Sequence, residues 1–473
     1  MKNKYILSLL SLLIFSCNTY AAQIVYPKSN DVVINSGETF FIGNEKPDRE
    51  LFINGEKVKI HPSGGFYHVV KLKDGENIFT IDNKTDESLL YKIKKPLPSA
   101  KQTTKSVYKE FTTSSIYITT GDNSPLRNAP DDNGKSRLQT LSKDIPLEVI
   151  GEYGKYYKIK LAKDDYAWID KGNVKQNNSF DYSPAKVVTY TFEENNSKLK
   201  YNIKLDKKVP YIVSEKRIFD LINNKYNEKS DGLDITLYNV KGYAENKYEL
   251  GIDLPNNLFG YKAYFTDGND FVVEIKKFPE ASEGRPLKGI KVTLDPGHGG
   301  SEYGAIGCLG DKEKDINLAI ALKTKSLLEK AGAKVYLTRF DDKDLGLYDR
   351  VKISNSNDSD IFLSLHANAL PDSLASTYRS GTSTYYFYSQ SAPLARILLE
   401  TMTKELGTSN DKVRQESFAV IRNTESPSVL IEVAYMINPD DNAKLVSPEF
   451  QNKAAKSIVH GLERYINELH EQQ

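Results

Sequence analysis

The rhythm of apolar and polar positions changes once along this chain, near Gly289. Before that point the pattern is short alternating runs divided by turn signals, such as Thr39-Phe40-Phe41-Ile42, Glu50-Leu51-Phe52-Ile53 and Phe66-Tyr67-His68-Val69-Val70. A period of two is that of a half-buried strand. Asn54-Gly55 is a two-residue hairpin turn, because both positions accept positive φ. Strands at this spacing predict a small β-sandwich over residues 22–94. Pro96 and Pro98, set among Ser, Lys and Thr, mark a linker assigned to residues 95–112. Short strands follow at Leu147-Glu148-Val149-Ile150, Tyr156-Tyr157-Lys158-Ile159 and Ala167-Trp168-Ile169, and predict a small β-barrel over residues 113–176. Trp168 either fills that barrel's core or serves a binding surface. Alternation in Val187 to Phe192 and Asp270 to Ile275 predicts a third β-domain over residues 184–279, and residues 280–288 read as a second linker.

Beyond Gly289, apolar strand runs alternate with helical patterns. Strands are predicted at Val292 to Leu294, Lys334 to Thr338, Ile361 to Leu365, Thr384 to Tyr388 and Val429 to Val433. Helices are predicted at Asp315 to Ala331, Leu347 to Asn357, Ala392 to Leu406 and Phe450 to Leu469. In the first helix Ile316, Ala319, Ile320, Lys323 and Leu327 mark the expected inward stripe. Alternating strands and helices predict an α/β domain over residues 289–473, with a central, mostly parallel sheet flanked by helices. The fold class is thus multidomain, with three small β-domains ahead of one α/β domain. The length of 473 residues accommodates that number.

Charge and composition narrow the classes of partner. Lysine plus arginine number 64 against 63 aspartates and glutamates, which removes the electrostatic case for nucleic acid. Lys2 and Lys4, the apolar run Ile6 to Phe15 and the small residues ending at Ala21-Ala22 have the layout of a secretory signal peptide over residues 1–21. The apolar run is about half the ~20 residues that a membrane span needs. An alternative reading makes Cys17, in Ile14-Phe15-Ser16-Cys17, a lipid anchor; the bulky Phe15 fits that pattern badly. Either way the chain is expected to be exported, to a periplasm or a cell wall, with no membrane span. Cleavage after Ala21 leaves Cys308 as the single cysteine, so no intramolecular disulfide is expected; its plain reading is a small buried residue.

Candidate chemistry gathers in the last domain. His298 lies in Leu294-Asp295-Pro296-Gly297-His298-Gly299-Gly300, where a strand ends and glycines let the backbone turn tightly. His366 ends the run Ile361-Phe362-Leu363-Ser364-Leu365-His366, so its imidazole should emerge at a strand end, where α/β sheets place active sites. Two histidines alone are weak evidence, since a lone strand-end histidine is more often a hydrogen-bonded structural residue. A catalytic zinc site typically needs a third protein ligand, for which Glu313 is the best-placed carboxylate; a glutamate there also suits a helix N-terminus. Glu432 sits within Val429-Leu430-Ile431-Glu432-Val433-Ala434. A carboxylate in so apolar a strand needs a metal, a cation or a catalytic task, a structural ion pair being the plain alternative.

Taken together, Asp295-Pro296-Gly297-His298-Gly299-Gly300, Glu313-Lys314-Asp315, Ser364-Leu365-His366-Ala367-Asn368-Ala369 and Ile431-Glu432-Val433 resemble, in order, the signatures of the zinc-dependent type 3 N-acetylmuramoyl-L-alanine amidases. The resemblance covers Gly289 to the C-terminus. It implies zinc held by His298, Glu313 and His366, with Glu432 as the catalytic glutamate. It also implies hydrolysis of the amide between the lactyl group of N-acetylmuramic acid and the L-alanine of the peptide stem, with peptidoglycan as the partner. Upstream, Leu51 to Val58 and Leu72 to Asn77 resemble bacterial immunoglobulin-like modules, and residues 125–169 resemble a bacterial Src-homology-like barrel. The third β-domain is similar in position to AMIN-type wall-targeting domains. Some family members carry a long helix after the second histidine that plugs the site; the short Leu370 to Ser380 stretch has no room for one. Arg350 and Arg422 match positions where the family tends to carry arginine, and salt bridges within the fold are their plainer role. Two other classes stay open: a wall-binding or activating protein, whose mark would be a lost ligand, and a zinc peptidase, which the product's mass distinguishes.

Overall fold

The computed structural model describes residues 22–84, 88–97, 106–222, 225–279 and 284–471. The signal-peptide reading of residues 1–21, Cys17 included, lies outside them, as do the middle of the first linker and the start of the second. Among the described residues no helix is long and apolar enough to cross a membrane.

The chain forms two compact units. The first holds the N-terminal β-domain with Cys308–Gly310 and Leu370–Thr377. A three-stranded and a five-stranded sheet enclose Phe41, Leu51, Ile53, Phe66 and Ile93. The hairpin turn has Asn54 at φ 50° and Gly55 at φ 80°, as the Asn-Gly pair requires. In the same unit Asp372 accepts hydrogen bonds from Tyr26 (2.9 Å) and Thr39 (2.6 Å), and Glu38 accepts from the Ser376 backbone N–H at 3.0 Å. The Asp372–Thr377 segment is a six-residue 3-10 turn, so no helix of several turns follows His366.

The second unit contains the other two β-regions and the α/β region. A seven-stranded sheet opens with Lys109–Thr119, so the linker expected to reach residue 112 ends earlier. Its start, Lys-Glu-Phe-Thr-Thr-Ser-Ser, is too polar to announce a strand. Likewise Leu287, placed in the second linker, is fully buried in the α/β core. Trp168 does not fill the barrel core, which is made by Leu126, Leu147, Ile159 and Ile169. It lies half-buried beside Tyr108 and Tyr153, at ring distances of 6.1 and 6.5 Å. The barrel's inward residues continue into Ile203, Leu233 and Phe271 of the next β-region, so the two share one apolar cluster.

The α/β region contains six strands: β1 (Lys291–Pro296), β2 (Lys334–Leu337), β3 (Ile361–Asn368), β4 (Thr382–Tyr386), β5 (Asn410–Gln415) and β6 (Ser428–Tyr435). They are ordered β2-β1-β3-β6-β4-β5, and only the β4–β6 pairing is antiparallel. The helices are α1 (Glu313–Ala331), α2 (Leu347–Ser356), α3 (Ala392–Leu406), α4 (Pro439–Leu445) and α5 (Pro448–His470). The inner strands β1, β3 and β6 are buried on both faces, which explains their continuous apolar runs. α5 starts at a Ser447 cap followed by Pro448, and packs on α1 and α3. α1 ends at Gly332, whose φ of 97° suits only glycine. Its buried face runs through Glu313, Ile316, Asn317, Ile320, Ala321, Thr324 and Leu328. The expected stripe was therefore rotated: Ala319, Lys323 and Leu327 are only half-buried, because polar Asn317 and Thr324 take inward positions.

Candidate metal centre and catalytic cleft

Three side chains predicted to bind a metal converge. His298 follows the end of β1, Glu313 opens α1, and His366 stands near the end of β3. His298 Nε2 lies 3.1 Å from Glu313 Oε2, and His366 Nδ1 lies 2.9 Å from Glu313 Oε1. The three donor atoms all fall within 4.8 Å of one another. Ligands of tetrahedral zinc with bonds of 2.0–2.2 Å sit roughly 3.4 Å apart, so this nitrogen, nitrogen and oxygen set fits zinc and leaves a fourth position open. Burial would raise the Glu313 carboxyl, but hydrogen bonds and charge from His298 and His366 outweigh it and hold the group well below the usual carboxylate range.

Backbone and neighbours fix these ligands. Glu313 accepts from Ala305 N–H at 2.8 Å, Ala367 N–H at 3.1 Å and Asn317 Nδ2 at 3.2 Å. A Cβ at Gly297 would overlap the His366 ring, and one at Gly304 would overlap the Glu313 carboxylate, so the loops approach the centre only as glycine. His298 itself has φ 60°, a left-handed conformation uncommon for a residue with a side chain. Two buried guanidiniums hold that turn. Arg350 donates to Asp295 Oδ1 (2.7 Å), Pro296 O (2.9 Å) and His298 O (3.0 Å). Arg339 donates to Pro296 O (2.9 Å), Gly297 O (2.9 Å) and Lys314 O (2.8 Å). Asp295 is completed by Thr338 at 2.6 Å and Ser364 at 2.8 Å. Arg350 thus makes a buried ion pair within the fold.

Glu432 is the direct cross-strand partner of His366 in the parallel β3–β6 ladder. Its Oε2 is sealed from solvent without a hydrogen-bond partner, and no cation faces it among the described residues. Burial, with the Glu313 charge adding to it, pushes the Glu432 carboxyl well above its ordinary value. The structural ion pair that the sequence left open is therefore absent there. His298, His366 and Glu432 line a cleft of about 750 Å³, walled by Leu347 of α2 and by Phe418, Ala419 and Val420.

Several of these residues escaped the sequence reading. Asn317 was within reach, since it stands four places after Glu313 on one helix face. Arg339 and the cleft-wall residues Phe418, Ala419 and Val420 carry no local signal. Arg422 donates to Ser417 O at 2.6 Å rather than to the centre. Cys308 is buried, as its plain reading held.

Comparison with known proteins gives a consistent picture. Residues 292–464 match the family model described as N-acetylmuramoyl-L-alanine amidase. The germination-specific N-acetylmuramoyl-L-alanine amidase of Bacillus subtilis is 32% identical over 201 residues, covering 39% of this chain and 82% of that protein. The uncharacterized protein YqiI of Bacillus subtilis is 38% identical over 194 residues, covering 40% and 91%. The probable cell wall amidase LytH of Staphylococcus epidermidis is 36% identical over 184 residues, covering 38% and 60%.

Proposed function

The chain belongs to the N-acetylmuramoyl-L-alanine amidases, and from that membership we propose that it is a zinc-dependent peptidoglycan hydrolase with Glu432 as its general base. The observation that carries this reading is the pairing of a three-donor centre with a cleft-lining carboxylate on the adjacent strand whose Oε2 is buried without a hydrogen-bond partner. His298, Glu313 and His366 would hold the metal. Bound zinc supplies Lewis acidity toward a carbonyl and acidifies a coordinated water. Glu432 takes the proton of the attacking water and returns it to the nitrogen of the leaving L-alanine. Asn317 and the Ala305 and Ala367 amides keep the Glu313 carboxylate oriented. Arg350 and Arg339 keep His298 in its left-handed turn. Bond cleavage leaves a lactyl carboxylate on the sugar and a free stem peptide.

The upstream β-regions, read as immunoglobulin-like, Src-homology-like and AMIN-like modules, would place the enzyme on its polymer, outside the cytoplasm in a periplasm or wall. Trp168, half-buried beside Tyr108 and Tyr153 and outside the barrel core, supports a binding role for the barrel. The absence of a plugging helix after His366 leads us to expect activity without an added partner.

The test is mass spectrometry of peptidoglycan digested by the purified chain, with and without a zinc chelator. The expected products are free stem peptides beginning in L-alanine, absent with chelator. Peptides cut internally would make it a peptidase, and no products would favour a binding protein. Glu432→Gln should retain zinc while losing about 10²–10⁴-fold in turnover, the usual weight of a general base. Retained activity would remove Glu432 from that role.

A further inference from the structure

Glu432 has a second lateral neighbour. On one side it stands beside His366 of β3 in the parallel ladder. On the other it stands directly opposite Ser383 of β4, in the antiparallel ladder. Directly paired residues of neighbouring strands point to one face of a sheet, so His366, Glu432 and Ser383 form a row. That face is the floor of the cleft. Two residues further along, Leu430 and Tyr385 are paired in the same ladder and pack with Phe362 and Val420. Leu430, Val420 and Glu432 all line the cleft.

The three hydroxyls of this stretch of β4 are treated differently. Thr382 Oγ1 donates to Val433 O at 2.8 Å, and Thr384 Oγ1 donates to Ala395 O at 2.9 Å. By strand alternation both lie on the face away from the cleft, where the fold satisfies them. Ser383 between them is fully buried, yet its Oγ has no hydrogen-bond partner. Glu432 Oε2, across the ladder, is buried in the same condition. A buried polar atom without a partner costs stability, and here two of them occupy neighbouring positions. Paired residues hold their Cβ atoms about 4.5–5.5 Å apart, a span that a serine hydroxyl crosses to a carboxylate oxygen by choice of rotamer.

We infer that Ser383 is a positioning residue for Glu432. Its hydroxyl donates to Oε2, fixes the plane of the carboxylate, and leaves the other oxygen to take the proton of the attacking water. A general base acts only when its accepting atom is aimed within hydrogen-bond reach of that proton, and a bond to a charged acceptor is among the stronger ones. The Ser383 proton stays on Ser383 throughout. The inference rests on the reading of Glu432 as the base.

A double-mutant cycle between Ser383→Ala and Glu432→Gln, on the zinc-loaded full chain acting on solubilised peptidoglycan, tests it. Ser383→Ala should lower kcat about tenfold, the weight of one hydrogen bond to a charged group, with KM and zinc content unchanged. Its melting temperature should not fall, because the deleted hydroxyl has no partner in the fold. In the Glu432→Gln background the same substitution should change kcat by less than about twofold, since the group it acts through is gone. Apart from turnover, a crystal structure of the zinc-loaded chain should show Ser383 Oγ within hydrogen-bond distance of Glu432 Oε2. Wild-type kcat in Ser383→Ala, an equal loss in both backgrounds, or a crystal structure with Oγ bonded elsewhere would overturn the role. So would a fall in melting temperature with loss of zinc, the mark of a merely structural hydroxyl. Full activity in Glu432→Gln alone would instead overturn the general-base reading.

Discussion

Two pairs of arginines are treated in opposite ways. Arg339 and Arg350 are 1% and 4% exposed, and most of their bonds go to the backbone of the 296–298 turn and to Asp295. Arg137 and Arg422 are half-exposed; Arg422 donates to Ser417 O at 2.6 Å and Oγ at 3.2 Å, and neither arginine forms an ion pair among the described residues. The first pair is saturated by the fold, so its charge is used in fixing the turn that carries the proposed metal ligand His298. The second is left without an ion pair, so its charge stays with solvent rather than with the fold. Residue type alone distinguishes neither; the surrounding acceptors do.

Removing a saturated member should have the largest effect. Arg350→Ala leaves the Asp295 carboxylate buried and short of a partner, and should cost about 3–5 kcal/mol in denaturant unfolding. Because the same side chain holds the His298 carbonyl, zinc should also dissociate faster from this variant. Wild-type stability with normal zinc retention would show that the turn does not depend on Arg350.

Glu215 sharpens the contrast from the acidic side. Unlike Asp295, it lacks a close buried arginine and accepts from the Gln390 N–H at 3.0 Å. Burial pushes its carboxyl up to about 8, with the Glu228 charge adding and backbone hydrogen bonds opposing. The folded protein therefore holds a proton that the unfolded chain releases above its ordinary value of 4.5, so stability falls as pH rises from about 4.5 to about 8. Glu215→Gln should flatten that fall, with a relative gain of about 2–4 kcal/mol at pH 8.5 over pH 4.5. Parallel stability–pH curves for variant and wild type would refute it.

The smallest effect belongs to the unsaturated pair. Arg137→Ala should shift stability by no more than about 0.5 kcal/mol, since it breaks no buried ion pair. A loss of several kcal/mol would move Arg137 into the structural class and erase the contrast.

The same distinction explains what could be read from sequence. His298, Glu313, His366 and Glu432 were legible because each sits at a strand end, a helix start or in an apolar strand where its type is costly or unusual. β1, β3 and β6 were legible because burial on both faces leaves long apolar runs. β5 was not: Asn410–Gln415 is an edge strand, Asn-Asp-Lys-Val-Arg-Gln, with almost no apolar residue to betray it. α4 was missed because its seven residues are too short for a helical period to show. Arg339 could not be assigned, since its acceptors come from β1, the turn after it and α1 and meet only in three dimensions. Trp168 stayed open between core and surface for a related reason, as strand alternation gives two faces without saying which is inward.

The register that sets His366 beside Glu432 has a consequence for how such an enzyme can diversify. Neighbouring strands run about 4.8 Å apart, so the interval between the proposed ligand His366 and the proposed base Glu432 is the gauge of the sheet itself. Lengthening a loop or exchanging a module cannot alter that gauge, and a slip of one residue would turn Glu432 to the opposite face. The hydrolytic step is thereby insulated from the walls of the cleft. Substrate preference can drift in wall residues such as Leu347, Phe418 and Val420 while the chemistry beneath them stays the same.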